Sequence, residues 1–158
     1  MTKPEQDQAK PKFYLDDLRI GQRFTTGSHV LDAAQIVAYA AQFDPQPFHL
    51  DHEAAKHTLF GGLAASGWHT ASITMRLIVD GGLPLAGGII GGGGELQWPR
   101  PARPGDVLTV DSEILDVAPS RSRPERGAAT VRITTRNQNG EPVMVFTVKL
   151  VVPRRPPG

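Results

Sequence analysis

The chain of 158 residues contains no cysteine. That excludes a disulfide framework, a thiolate nucleophile, an iron–sulfur cluster and a cysteine-ligated zinc site. An excess of one charge is also missing: Lys and Arg number 17 against 16 Asp and Glu, a formal net charge of +1. Composition therefore supplies no basic face for a phosphate backbone, and nucleic acid is not an expected partner. Long apolar runs are absent as well. The longest apolar-looking stretch, 81–94, is rich in glycine and too short to cross a bilayer of about 30 Å as a helix. The first eight residues are polar, where a secretory leader needs an apolar segment. The expectation is a cytoplasmic protein with no membrane partner.

What is present is 39% hydrophobic residues, 17 glycines and 14 prolines. A chain of this length can bury roughly 70% of its unfolded surface as one domain. Polar, proline-bearing residues 1–12 read as a flexible lead-in, 13–152 as a single domain and 153–158 as a tail. Asp32 with Gln35 three positions on makes a helix start, after which Ile36, Tyr39, Ala40 and Phe43 recur at helical spacing. Pro45 ends that helix at Asp44. A short helix over about 52–57 follows Asp51 as its N-cap. A third runs from Ser66-Gly67 to about Val79, with Trp68, Ala71, Met75 and Ile78 on one stripe and Ile73 and Leu77 opposite. A helix apolar nearly all round predicts a buried one. The C-terminal half alternates with period two, in Leu108, Val110 and Ile114, in Val131 and Ile133, and in Met144 to Val152. Asn139-Gly140 predicts a type I′ hairpin turn. The last strand reads as central. With strands over 23–31 and 87–98, the count is five or six, mostly antiparallel, around one long helix: an α+β domain.

The densest polar cluster is Asp44-Pro-Gln-Pro-Phe-His49-Leu-Asp51-His52-Glu53. On a straight helix Asp44 and His49 would point about 140° apart. Two intervening prolines predict an extended, rigid turn able to bring both to one cavity. A carboxylate and an imidazole so held suit addition of water across a polarised double bond, one group activating water and the other handling the proton on the neighbouring carbon. The plainer alternative makes Asp44 a turn cap and His49 a loop histidine. A metal reading of His49, Asp51, His52 and Glu53 lacks zincin spacing and a third histidine, so no metal is expected. His29, His57 and His69 read as ordinary surface or core residues. Gly67 sits at a helix N-terminus, where unpaired amides can hold a developing oxyanion, against the alternative that Ser66-Gly67 is a plain cap. Gly91–Gly94 is no nucleotide motif and predicts a bulge or a close approach. Arg100 and Arg103 are either phosphate ligands or solvated loop arginines.

Together, Asp44-Pro-Gln-Pro-Phe-His49-Leu-Asp51, Ser66-Gly67-Trp68-His69-Thr70 and Trp98-Pro-Arg-Pro-Ala-Arg-Pro-Gly-Asp106 resemble the MaoC-like acyl dehydratases, relatives of the (R)-specific enoyl-CoA hydratases. The resemblance covers about residues 13–152. It implies the hotdog fold, an antiparallel sheet wrapped around a long central helix, usually as a homodimer or a larger assembly of dimers. It also implies a lyase that reversibly hydrates a trans-2-enoyl-CoA to the (R)-3-hydroxyacyl-CoA, with coenzyme A as substrate carrier and no other cofactor. Asp44 and His49 match the family's Asp-x-Asn-Pro-x-His motif and become the acid–base pair, and the Gly67 amide polarises the thioester carbonyl. Ser66, Trp68, Gly92, Gly93 and Arg100 become substrate contacts. Gln46 departs from the family's Asn, with Pro45 before it, which bears on substrate range and rate more than on the pair. Trp68 departs from an aliphatic helix start and narrows or redirects the acyl pocket. Competing readings are a hotdog thioesterase, with Asp44 activating water against the carbonyl carbon, and a non-catalytic acyl-CoA-binding or partner subunit.

Overall fold

A computed structural model describes residues 12–157; the lead-in expected over 1–12 lies, Lys12 apart, outside the described residues. Strands β1 (Arg23–Val30), β2 (Gly91–Gln97), β3 (Val107–Pro119), β4 (Arg126–Arg136) and β5 (Pro142–Pro153) form one sheet in the order β1-β3-β4-β5-β2. Every pairing is antiparallel. The period-two pattern explains why: Val110 and Ile114, Val131 and Ile133, and Val148, Leu150 and Val152 turn to one face and are buried. There they meet Ile78, Leu83 and Leu85 from the chain that follows the long helix. β5 is an interior strand as expected, although the middle of the sheet is β4.

Helices α1 (Ala33–Phe43), α2 (Pro47–Leu50), α3 (His52–Ala55) and α4 (Gly67–Leu77) lie between β1 and β2, and a π turn, Ile78–Gly82, ends α4. A second buried cluster of Leu31, Ile36, Leu63, Ala65, Ile73 and Val143, with Ala102 and Leu108, joins α1, α4 and the loops to the sheet. That cluster fixes the ends of α1 and α4 relative to each other.

Three expectations are corrected. First, α4 is buried on one side only. Its inner face is His69, Thr70, Ile73 and Thr74, while Trp68 and Val79 are each 59% exposed. Polar residues can occupy that inner face because Thr74 Oγ1 bonds Thr135 Oγ1 at 2.5 Å and donates to the Thr70 carbonyl at 2.8 Å. The apolar stripe of Trp68, Ala71 and Met75 instead borders a groove of about 280 Å³ against β2 and β5. Second, the β4–β5 turn is not type I′, because Asn139 has negative φ and only Gly140, at +74°, is positive. Gly140 N–H bonds the Asn137 carbonyl at 3.0 Å, and Asn137 N–H bonds the Glu141 carbonyl at 2.9 Å. This is a type I turn closed by a glycine bulge, with the register slipping at Thr135/Arg136. Third, the segment from Asp44 to His49 is extended only through Gln46, and Pro47 starts a helical turn. The fixed φ of proline suits a first helical position as well as an extended one.

Candidate active site

α1 begins where the Asp32 carboxylate accepts the Gln35 amide at 2.8 Å and ends where the Asp44 amide closes on the Ala40 carbonyl at 2.8 Å. Pro45 drives Asp44 out of the helical region, to φ −153° and ψ 66°. The chain turns there and re-enters a helix at Pro47, which leaves Asp44 at one corner and His49, in α2, at the other.

His49 is buried, and its Nδ1 lies 2.6 Å from the Ala64 carbonyl oxygen. A carbonyl only accepts, so Nδ1 carries the hydrogen and the neutral ring has its lone pair on Nε2. That Nε2 stands 3.3 Å from Asp44 Oδ2. The other carboxylate oxygen, Oδ1, accepts the Gln46 side-chain amide at 2.6 Å. Burial works to raise the Asp44 pKa, but the hydrogen bond from Gln46, the neighbouring Ser66 hydroxyl and the positive charge available on His49 outweigh it and hold the carboxyl below its ordinary range.

Ser66 is the N-cap of α4 and accepts the His69 and Thr70 amides on its carbonyl, but its side chain does not cap. Its buried hydroxyl has no hydrogen-bond partner among the described residues, and as a dipole beside Asp44 it favours the ionised carboxylate. Gly67, the first residue of α4, has an amide with no partner inside the helix. The Trp98 indole covers this glycine, and its Nε1–H donates to the Gly67 carbonyl at 3.0 Å. Trp68 meets Trp98 edge to face with ring centroids 5.2 Å apart.

Asp44, His49, Gly67, Trp68, Trp98 and Arg100 line one cavity of about 300 Å³. Five of the predicted site residues, Asp44, His49, Gly67, Trp68 and Arg100, thus converge. Arg100 at its rim is paired with Glu141 at 2.8 Å. Ser66 lies behind the cavity wall instead of lining it. Gly92 and Gly93 lie elsewhere, on the exposed edge strand β2, where the register slips between Gly91 and Gly93; Gly93 borders the apolar groove. Arg103 is neither a phosphate ligand nor a solvated loop arginine. Its guanidinium donates to the carbonyls of Gly62 at 2.9 Å, Leu63 at 3.2 Å and Phe60, clamping the loop whose Phe60 borders the cavity. Asp51 caps α3 through the Glu53 and Ala54 amides, as expected. Sequence reasoning missed Gln46 as a partner of Asp44 and Trp98 as the cover of Gly67. A tryptophan directly after a glycine-rich strand was the available signal for the second.

A buried imidazole with its free nitrogen toward an ionised carboxylate, beside a helix N-terminus, can hold and deprotonate one water molecule. The profile of the MaoC like domain matches residues 17–137. The chain belongs to the MaoC-like dehydratase family. The MaoC-like dehydratase from Rhodospirillum rubrum is 59% identical, with a TM-score of 0.90 over 92% of this chain and 99% of that one. This MaoC-like chain is also 36% identical over 140 residues, 87% of its length and 96% of the relative's, to the uncharacterised protein YdeM of Bacillus subtilis. A 3-hydroxybutyryl-CoA dehydratase of Methylorubrum extorquens is 29% identical over 116 residues, 70% of this chain and 69% of that protein. The R-hydratase PhaJ1 of Pseudomonas aeruginosa matches at 26% identity and a TM-score of 0.71, over 91% of this chain and 88% of that one. The MaoC-like domain accordingly has the hotdog fold, with α4 as the helix inside the sheet's curve.

Proposed function

We propose that this MaoC-like protein reversibly adds water to a trans-2-enoyl-CoA, giving the (R)-3-hydroxyacyl-CoA. The observation that carries this reading is the 3.3 Å approach of His49 Nε2 to Asp44 Oδ2, with His49 Nδ1 committed to the Ala64 carbonyl. Two acceptors facing each other are bridged by a water that donates to both. His49 Nε2 takes a proton from that water as its oxygen bonds C3 of the enoyl thioester. The electron pair of the C2–C3 double bond moves towards the thioester carbonyl, whose oxygen is held by the amide of Gly67. The imidazolium, stabilised by ionised Asp44, then returns the proton to C2. The net change is one hydroxyl on C3 and one hydrogen on C2.

Arg100 at the cavity rim suits a phosphate of the coenzyme A carrier, exchanging Glu141 for it. A homodimer belongs to the same reading, supported by the open outer edge of β2 and the uncovered apolar side of α4. The relation to an R-hydratase and a 3-hydroxybutyryl-CoA dehydratase supports this class of substrate. The test is absorbance at the enoyl-thioester band on mixing protein with crotonyl-CoA, with free thiol titrated in the same cuvette. Loss of the band without thiol is the expected result. Thiol release would instead mean a thioesterase, and no change in either channel would favour a longer or branched substrate or a binding subunit.

A further inference from the structure

We propose that Gln46 is a positioning residue, one that ties down Oδ1 of the Asp44 carboxylate so that Oδ2 is the oxygen turned to His49. Gln46 leaves the usual role of its position unfilled. It occupies the N-cap of α2, yet makes no side-chain cap. Asn, Asp, Ser and Thr are favoured at such positions because their short side chains reach the amides of the first turn. Glutamine is one methylene longer, and here it folds back two residues to place its amide 2.6 Å from Oδ1. A carboxylate with two free oxygens can rotate about its last bond and exchange them. Anchoring one removes that exchange and gives the 3.3 Å contact with His49 a fixed plane.

The donor is neutral, so it orients the carboxylate without forming an ion pair with it. His49 on α2 is the titratable group facing Asp44. Arg100, across the cavity, is already paired with Glu141, and Ser66 at the head of α4 contributes an uncharged hydroxyl from the buried side. Gln46 thus supplies, among the described residues, the side-chain hydrogen bond that holds Asp44 Oδ1. Losing it frees the carboxylate and weakens the preference for its ionised form.

The effect on Asp44 stands on geometry alone, whereas its catalytic consequence rests on the hydratase reading. The test uses Gln46→Ala and Gln46→Asn in the full chain, with the Asp44 carboxyl carbon titrated by NMR and crotonyl-CoA hydration followed against pH. In both variants Asp44 is expected to titrate at higher pH than in the parent protein. In hydration, kcat should fall about tenfold at nearly constant KM, as for one charge-assisted hydrogen bond. Asn in particular should fail to restore the parent profile while leaving the melting temperature intact, because it can cap α2. An unchanged Asp44 titration in both variants overturns the proposal, whatever the activity. A shifted titration in a protein that hydrates nothing upholds the positioning role and removes the hydratase reading.

Discussion

The Trp98 indole packs on Gly67 more closely than any other residue at position 67 would allow. A Cβ built there falls 2.5 Å from the nearest ring carbon, while Trp98 Nε1–H holds the Gly67 carbonyl at 3.0 Å. Gly67→Ala must therefore displace the indole or the start of α4. Trp98 is 39% exposed and can swing outward, so the melting temperature should move little. Hydration should fall at least about tenfold, since a small misplacement of an oriented group is enough for that. Unchanged kcat would detach the head of α4 from the chemistry.

Asp44→Asn and His49→Ala should each lower enoyl hydration by more than about 100-fold, the range of positioned acid–base groups. Circular dichroism checks that the variants fold. A loss below about tenfold with intact folding would reject the pair as catalysts.

Arg103 bridges three carbonyls of the 60–63 loop, and its own amide is held by Asp106 Oδ2 at 2.8 Å. Arg103→Ala should cost about 2–4 kcal/mol in chemical denaturation, because it leaves partly buried acceptors without donors. Arg103→Lys should recover only part of this, since an ammonium lacks the planar fork. Equal stability of the parent protein and both variants would show the clamp to be inert.

His69 is buried and stacked on Tyr39, with ring centroids 4.5 Å apart and planes 5° apart. Burial first, then the charge of His29, pushes its pKa below the ordinary 6.5. The unfolded chain therefore binds a proton that the folded chain resists, so this stabilisation is complete above about pH 6.5 and is lost as pH falls below it. The melting temperature of the parent protein should drop between pH 7 and pH 5. In His69→Leu that drop should be smaller. Asp44, Asp16 and Asp17 sit below the ordinary carboxylate value of 3.8 and do not contribute in that window. Identical drops would place the acid sensitivity elsewhere.

The parts of the fold set by neighbours in sequence were legible. Asp32 and Pro45 bound α1 because a cap and a proline act within a few residues, and β3, β4 and β5 follow from period two. The pairing of Asp44 with His49 was legible because two prolines leave the intervening segment few conformations. The inward face of α4 was not, because Thr74 is held there by Thr135, far along the chain, as well as by the Thr70 carbonyl. The turn after β4 is ambiguous in the sequence because Asn-Gly fits both a type I′ turn and the end of a type I turn with a glycine bulge, and the register of β5 decides between them. Neither residue type nor the family motif gives the roles of Gln46 and Arg103, which depend on which carboxylate or carbonyls lie within reach after folding.

At the sheet's far end, Arg154 bonds Asp16 at 3.0 Å and Arg155 bonds Asp17 at 2.6 Å. The first and last described stretches of the domain therefore meet at one spot on its surface, and none of these four residues lines the cavity that holds Asp44 and His49. For protein engineering this makes the domain a natural insert: spliced into a host loop, it would enter and leave through a single narrow doorway. A circular permutant opened at Asn139-Gly140 would need only a short linker between the stretches that hold Asp17 and Arg154.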